Sequence, residues 1–239
     1  MVFDKYAKYY DVLYSDIDYK KDCIRIREMT DKYFINTKKR ISLVDLGCGS
    51  GTHSLIFNNM GFDVIGVDSS EQMIDIARKK NNNNIFYVGD IANFTLSKQV
   101  DIAVSLGQIT SYLITDEKLD SFFKTTYANV VDGGLFIFDM WCGHGVLTEK
   151  TETRKKKINN NTYRTATATT DLENQIVEVK YVIKENGEEI VKETHHMRYY
   201  FPREIKKAIN DAGFELLTQT PKRLDYNTWR MLMVCRKNG

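Results

Sequence analysis

The chain has 239 residues, 42% hydrophobic and 28% charged, enough for one sizeable core with an appended lobe. Its 34 basic and 32 acidic residues leave a net charge of +2, too balanced for nucleic acid or an anionic membrane to be the main partner. No run approaches the ~20 apolar residues of a membrane span, no secretory leader is evident, and the four dispersed cysteines and four histidines complete no zinc pattern, so we expect a cytoplasmic protein with reduced thiols and no metal.

In chain order, Phe3, Tyr6, Tyr9, Tyr10 and Leu13 recur at helical spacing, and a second helix is predicted over Lys20 to Phe34. The pattern then alternates. Apolar runs at Ile41 to Leu46, Asp63 to Val67, Asn84 to Val88, Asp101 to Leu106 and Gly134 to Trp141 read as strands. The stretches between them, Thr52 to Met60, a helix capped by Ser69 or Ser70 and running to Lys80, and Glu117 to Val130, read as helices. Five strands alternating with helices predict an α/β, Rossmann-like, doubly wound parallel sheet.

After Trp141 the period changes. Tyr163 to Thr170, Gln175 to Lys184 and Glu189 to Phe201 are β-prone, and Asn186-Gly187 is a hairpin signal. Residues 142–201 are therefore expected to be an antiparallel insert, with 1–141 and 202–239 forming the core. The basic run Arg154 to Lys157 reads as a solvated turn or strand edge. Pro202 opens a helix that Gly213 ends, and strands near Phe214 to Gln219 and Thr228 to Arg236 complete the sheet. Exposed strands in the insert are ready to wall a site or to pair in a homodimer.

The strongest local signal is Asp45-Leu46-Gly47-Cys48-Gly49-Ser50-Gly51-Thr52-His53, between the first strand and the next helix. Its glycines allow a tight turn and close approach of a ligand to the backbone. Its spacing departs from the dinucleotide fingerprint, because the third glycine comes one position early. Asp68 at the second strand's end suits a ribose diol, and equally the dipole of the following helix. Asp90 at the third strand's end suits an adenine amino group flanked by Ile91 and Met73, and equally a turn. All three tips share the edge where open α/β sheets bind ligands.

With DLGCGSGTH at 45–53, GVDSSEQMIDIARK at 66–79, YVGDIANF at 87–94 and GGLFIFDMW at 133–141, the chain resembles the class I S-adenosylmethionine-dependent methyltransferases. The resemblance implies a seven-stranded sheet with its last strand antiparallel. YYDVLY at 9–14, the insert and the helix after Phe201-Pro202 extend it to the small N-methyltransferases, nearest to those that dimethylate an amino group on a nucleotide-linked deoxysugar. Met140-Trp141 stands where that group has two tryptophans, and Gly107 to Tyr112 replaces its serine-rich loop.

The implied cofactor is S-adenosyl-L-methionine, held by Tyr14, Tyr19, Gly47, Cys48, Gly49, Thr52, His53, Asp68, Ser69, Met73, Asp90, Ile91 and Leu106. The implied partner is a small-molecule acceptor, nucleotide-linked sugar included, lying over Gln108, Tyr112, Trp141 and His144. Tyr14 is expected beside the reacting methyl and His144 as a proton acceptor, though a packed helix tyrosine and a surface histidine read equally well. His195-His196 is expected to alternate interior and surface rather than bind metal. O-methylation, another metabolite, or a module that binds the donor without turnover remain open on sequence.

Overall fold

The computed structural model describes residues 3, 5–35, 40–82, 84–148, 153–225 and 228–239. Parts of the expected first helix (1, 2 and 4) and of the expected insert (149–152) lie outside them. Two helices, α1 (Ala7–Leu13) and α2 (Tyr19–Tyr33), precede the alternating region. Phe3 and Tyr6 lie ahead of α1 rather than within it. The alternating region holds β1 (Ile41–Leu46), α3 (Thr52–Asn59), β2 (Phe62–Asp68), α4 (Glu71–Lys80), β3 (Ile85–Val88) and β4 (Val100–Ser105). A 3₁₀ turn at Ile109–Tyr112, α5 (Asp116–Asn129) and β5 (Val130–Trp141) follow.

Beyond β5 come the short α6 (Gly143–Val146) and four strands, β6 (Thr153–Lys157), β7 (Thr162–Asp171), β8 (Ile176–Glu185) and β9 (Glu188–Arg198). The chain closes with α7 (Pro202–Asp211), β10 (Phe214–Thr220) and β11 (Arg230–Lys237). Two sheets result: seven strands in the order β10-β11-β5-β4-β1-β2-β3, and four in the order β6-β7-β8-β9. In the first, β1 to β5 are mutually parallel and β11 runs antiparallel to both neighbours.

Helices cover both faces of the large sheet, which is why its central strands β4 and β5 are buried in near-continuous runs rather than alternating. On β5, Phe136 and Phe138 pack against Phe122 and Phe123 of α5 and Ile205 of α7. Leu135 and Ile137 turn the other way, onto Cys23 and Ile26 of α2 and Phe57 of α3. All of these are essentially inaccessible, each side chain contributing about 1.5–3 kcal/mol of burial. Helix starts follow their side chains: Asp18 accepts from Lys21 N–H at 2.9 Å, Ser70 from Met73 N–H at 3.2 Å and Thr115 from Lys118 N–H at 3.3 Å.

The four-stranded sheet is antiparallel throughout. Asn186 (φ 52°) and Gly187 (φ 89°) make the β8–β9 turn, the left-handed pair that such a two-residue hairpin requires. The basic run is the edge strand β6, where Lys155 lies over the Tyr163 ring at 3.7 Å and Lys156 pairs with Asp16 at 2.5 Å. Among the described residues no helix is long and apolar enough to cross a membrane. All four cysteines are buried free thiols.

Candidate active site

The tips of β1 and β2 meet. Gly47 N–H and Cys48 N–H donate to Val67 O at 2.7 and 3.1 Å, tying the glycine turn to the end of β2. Asp68 then grips it: its carboxylate accepts Gly49 N–H and Ser70 N–H, each at 2.9 Å. Gly47, Gly49 and Gly51 all have positive φ (75°, 52° and 75°), and a Cβ on Gly47 would fall 2.5 Å from Ile109, so this turn excludes side chains. Burial pushes the Asp68 carboxyl up, and the N–H groups of Ser70, Gly49 and Ser69 pull it back.

Beneath the turn, Asp45 is entirely buried and accepts the Ser54 hydroxyl at 2.6 Å. Burial pushes it up to about 7, against the Ser54 bond. A folded-state value above the unfolded ~3.9 means that the protonated form is favoured in the fold, so this group's contribution is full at acid pH and is lost as pH rises through about 7. Asp45→Asn is therefore expected to remove that decline, read by urea denaturation across this range. Parallel profiles for variant and wild type would refute the assignment.

A cavity of about 420 Å³ opens from this turn. Gly47, Cys48, Gly49, Thr52, His53 and Asp68 bound it on one side, with Met73 and Leu106. Tyr10, Tyr14 and Tyr19 from the N-terminal helices flank it, and Gln108, Tyr112 and Trp141 from the ends of β4 and β5 close the next wall. The roof is the four-stranded sheet. Arg164, Ala166, Ala168 and Thr170 of β7 line the cavity at every second residue, opposite Val177, Val179 and Tyr181 of β8.

The sequence therefore picks out most of this wall, with exceptions. Ser69 is exposed and, like Asp90 and Ile91, is not part of the lining. Asp90 serves its own turn, accepting Ala92 N–H at 2.9 Å. His144 is also outside the lining. Helix α6 turns it onto Phe201 (ring centroids 5.6 Å) and Cys142 Sγ (3.4 Å). Tyr14 is both packed and cavity-facing: its ring lies 4.6 Å from Tyr10, and its hydroxyl 3.5 Å from that of Tyr6.

Sequence reasoning passed over an ionic network in the floor. Arg230 of β11 donates to Asp139 of β5 at 2.5 Å and to both oxygens of Asp22 of α2 at 3.2 and 3.0 Å. Asp139 also accepts Gly107 N–H at 3.2 Å and Gln108 N–H at 2.6 Å, holding the loop after β4. Asp22 and Arg230 face the cavity, and beside them the buried His53 Nε2 has no partner. Burial lowers His53 to about 4, leaving it neutral. Among the described residues no group of three or more His, Cys, Asp or Glu is placed to hold a metal ion.

Residues 43–134 match the family model described as a methyltransferase domain. The chain is 28% identical over 138 residues to a dTDP-3-amino-3,4,6-trideoxy-alpha-D-glucopyranose N,N-dimethyltransferase of Streptomyces venezuelae, a match covering 57% of each chain. The chain thus spans little more than half the length of that curated relative. In fold, the chain matches an S-adenosylmethionine-dependent methyltransferase from Clostridium acetobutylicum ATCC 824, with TM-score 0.84, 20% identity and all of both chains covered. Streptomyces venezuelae DesVI matches with TM-score 0.77 and 20% identity over 98% of each chain. The fold is that of a class I methyltransferase, the seven-stranded sheet expected from the sequence.

Proposed function

We propose that the chain transfers the methyl group of S-adenosylmethionine to the amino group of a small acceptor, a nucleotide-linked deoxyaminosugar. The observation that carries this reading is the single cavity shared by the glycine turn with Asp68 and by the aromatic and apolar wall of the insert, so that donor and acceptor would meet in one enclosure. The relatedness to an aminosugar N,N-dimethyltransferase supports the choice of acceptor.

The residues fit the donor. Gly47 to Gly49 offer an open backbone, Asp68 has lone pairs left for ribose hydroxyls, and Met73 and Leu106 add apolar surface. The orphaned His53 Nε2, with Tyr19, Asp22 and Arg230, would meet the charged amino-acid end. The donor supplies an already activated sulfonium methyl, so the protein's part is to orient the acceptor and exclude water. Tyr14 bounds the methyl with its ring and hydroxyl, a face suited to a cation. Arg154 and Arg164 of the insert bring positive charge to the acceptor side, which suits a diphosphate. The insert serves as the acceptor's cover.

Calorimetry with S-adenosylmethionine, followed by labelled-methyl transfer to the dTDP-linked aminosugar named above and to its hydroxyl analogue, tests the reading. Binding with transfer to the amine is expected. Transfer only to the hydroxyl compound would make this an O-methyltransferase, and binding without transfer to any acceptor a donor-binding module. Tyr14→Phe is expected to lower turnover about tenfold with donor affinity unchanged, the loss of one positioned polar contact at the reacting centre. Wild-type turnover would reduce Tyr14 to packing.

A further inference from the structure

Behind the cavity wall lies a chain of polar groups that the methyl transfer described above does not use. Tyr112, in the 3₁₀ turn after β4, faces the cavity. Its hydroxyl meets His195 Nδ1 of β9 at 2.9 Å. His195 is fully buried, and its Nε2 meets Glu193 Oε2 at 3.3 Å. Glu193, with its side chain 10% exposed, is fixed in turn by Phe3 N–H at 2.9 Å and Tyr6 N–H at 3.0 Å. A hydroxyl, an imidazole and a carboxylate thus stand in line, each within reach of the next, and of the three residues Tyr112 is the one that lines the cavity.

We propose that Tyr112, His195 and Glu193 form a proton-accepting chain that takes the proton of the acceptor's ammonium group out of the cavity. The inference rests on the reading of the reaction as amine methylation. An amine must be neutral to attack, and the described cavity lining holds no carboxylate on its acceptor side. The carboxylate of Glu193 fixes the tautomer: Nε2–H donates to it, which leaves Nδ1 as the acceptor for the Tyr112 hydroxyl.

The transfer balances. The ammonium N–H bond breaks toward the Tyr112 oxygen while the Tyr112 O–H proton passes to His195 Nδ1. The nitrogen keeps the lone pair that attacks the methyl carbon. The imidazolium so formed faces Glu193, and the same two transfers run backwards to water once the product leaves. Tyr112 is the catalytic group here, and His195 and Glu193 act through it.

The surroundings suit the task. Phe3 and Tyr181 pack on the His195 ring, each with centroids at 4.8 Å, and Tyr6 stands at 6.1 Å. Arg164 lies over Tyr181 and donates to the Tyr6 hydroxyl, while His196 points to the opposite face and pairs with Glu178. Burial lowers His195 against the opposing pull of Glu193, so the ring rests neutral with a free nitrogen lone pair, and the facing Glu193 carboxylate is what offsets the cost of charging it.

The test has two arms. In ¹⁵N-histidine NMR of the full chain, His195 is expected as the Nε2–H tautomer, with Nδ1 shifting in Tyr112→Phe. The Nδ1–H tautomer, or no response to that substitution, overturns the chain. In methyl transfer to the dTDP-linked aminosugar, His195→Gln is expected to lose about tenfold in kcat near pH 6, with the deficit closing toward about pH 9, where the amine sheds its proton unaided. KM for S-adenosylmethionine should not move. An equal loss at every pH means a structural role and overturns the proposal, as does a wild-type profile. If His195→Gln does not fold, Tyr112→Phe carries the same pH readout. No S-adenosylmethionine binding by the wild type would instead fell the methyl-transfer reading, and the NMR arm would still judge the chain itself.

Discussion

Asp68→Ala is expected to weaken S-adenosylmethionine binding by about a hundredfold or more while the protein still folds. A carboxylate that accepts two ribose hydroxyls contributes about 1.5–3 kcal/mol per bond, and each 1.4 kcal/mol is about tenfold in affinity. The same carboxylate also holds Gly49 N–H and Ser70 N–H, so the substitution loosens the glycine turn as well as removing the ribose contact. Its cost to folding stays near the lower end of the ~1–3 kcal/mol for an unmet donor, because Asp68 sits at a strand tip, 9% exposed, where water can reach the freed N–H groups. Calorimetry with the donor and a thermal melt, run on the same preparation, separate the two effects. Unchanged affinity in a folded variant would remove Asp68 from the donor site. Asp68→Asn should fall between, since an amide keeps one acceptor for the two N–H groups.

The parts of this molecule that could be read from its sequence are those in which a short stretch carries its own physical reason. The run around Leu135 to Phe138 is apolar on both sides because helices cover both faces, so it announces a parallel strand without knowledge of its neighbours. Asn186-Gly187 dictates its turn through positive φ alone. The glycine turn and Asp68 were legible for the same reason. For Asp90 and His144 residue type suggested a role, and the fold adds contacts that the sequence did not show: Asp90 accepts a hydrogen bond within its own turn, and α6 sets His144 against Phe201.

What stayed hidden was convergence. Tyr112 and His195 are 83 residues apart, and a sequence shows His195-His196 only as alternation, interior then surface, which the strand duly has. Asp22, Asp139 and Arg230 meet because the strand order places β11 beside β5, with Arg230 opposite Trp141. Asp139 did leave a trace, a charge inside the apolar run Leu135 to Met140, but nothing local named its partner. The cavity face of β7 was also written in the chain, as the alternation Arg164, Ala166, Ala168, Thr170. Small side chains at every second position mark a face that something must approach, and only the fold shows that it roofs a cavity.

The largest loss of stability is expected from Asp139→Ala. The carboxylate is completely buried and makes three contacts: Arg230, Gly107 N–H and Gln108 N–H. Burial pushes its carboxyl up, and Arg230 with the two N–H groups pulls against that push. Breaking a fully buried pair costs about 3–5 kcal/mol; Arg230, with 34% of its side chain exposed at the cavity, is partly met by water, so the loss is expected near the lower end of that range, still a large share of the ~5–15 kcal/mol that holds a domain folded. Arg230 retains Asp22, which softens the charge imbalance, but the two N–H groups lose the carboxylate they donate to. The damage therefore extends to the site. Gly107 (φ 84°) and Gln108 (φ 62°) adopt left-handed backbone that a non-glycine residue resists, and the Asp139 carboxylate is what holds that turn at the acceptor wall. Urea denaturation should show the midpoint fall at unchanged slope. Asp139→Leu combined with Arg230→Met should recover the part due to the unpaired charge and leave the part due to the two N–H groups. Full recovery in the double variant would mean that the loop does not depend on Asp139, and a loss under ~1 kcal/mol in Asp139→Ala would mean that water takes the place of the carboxylate.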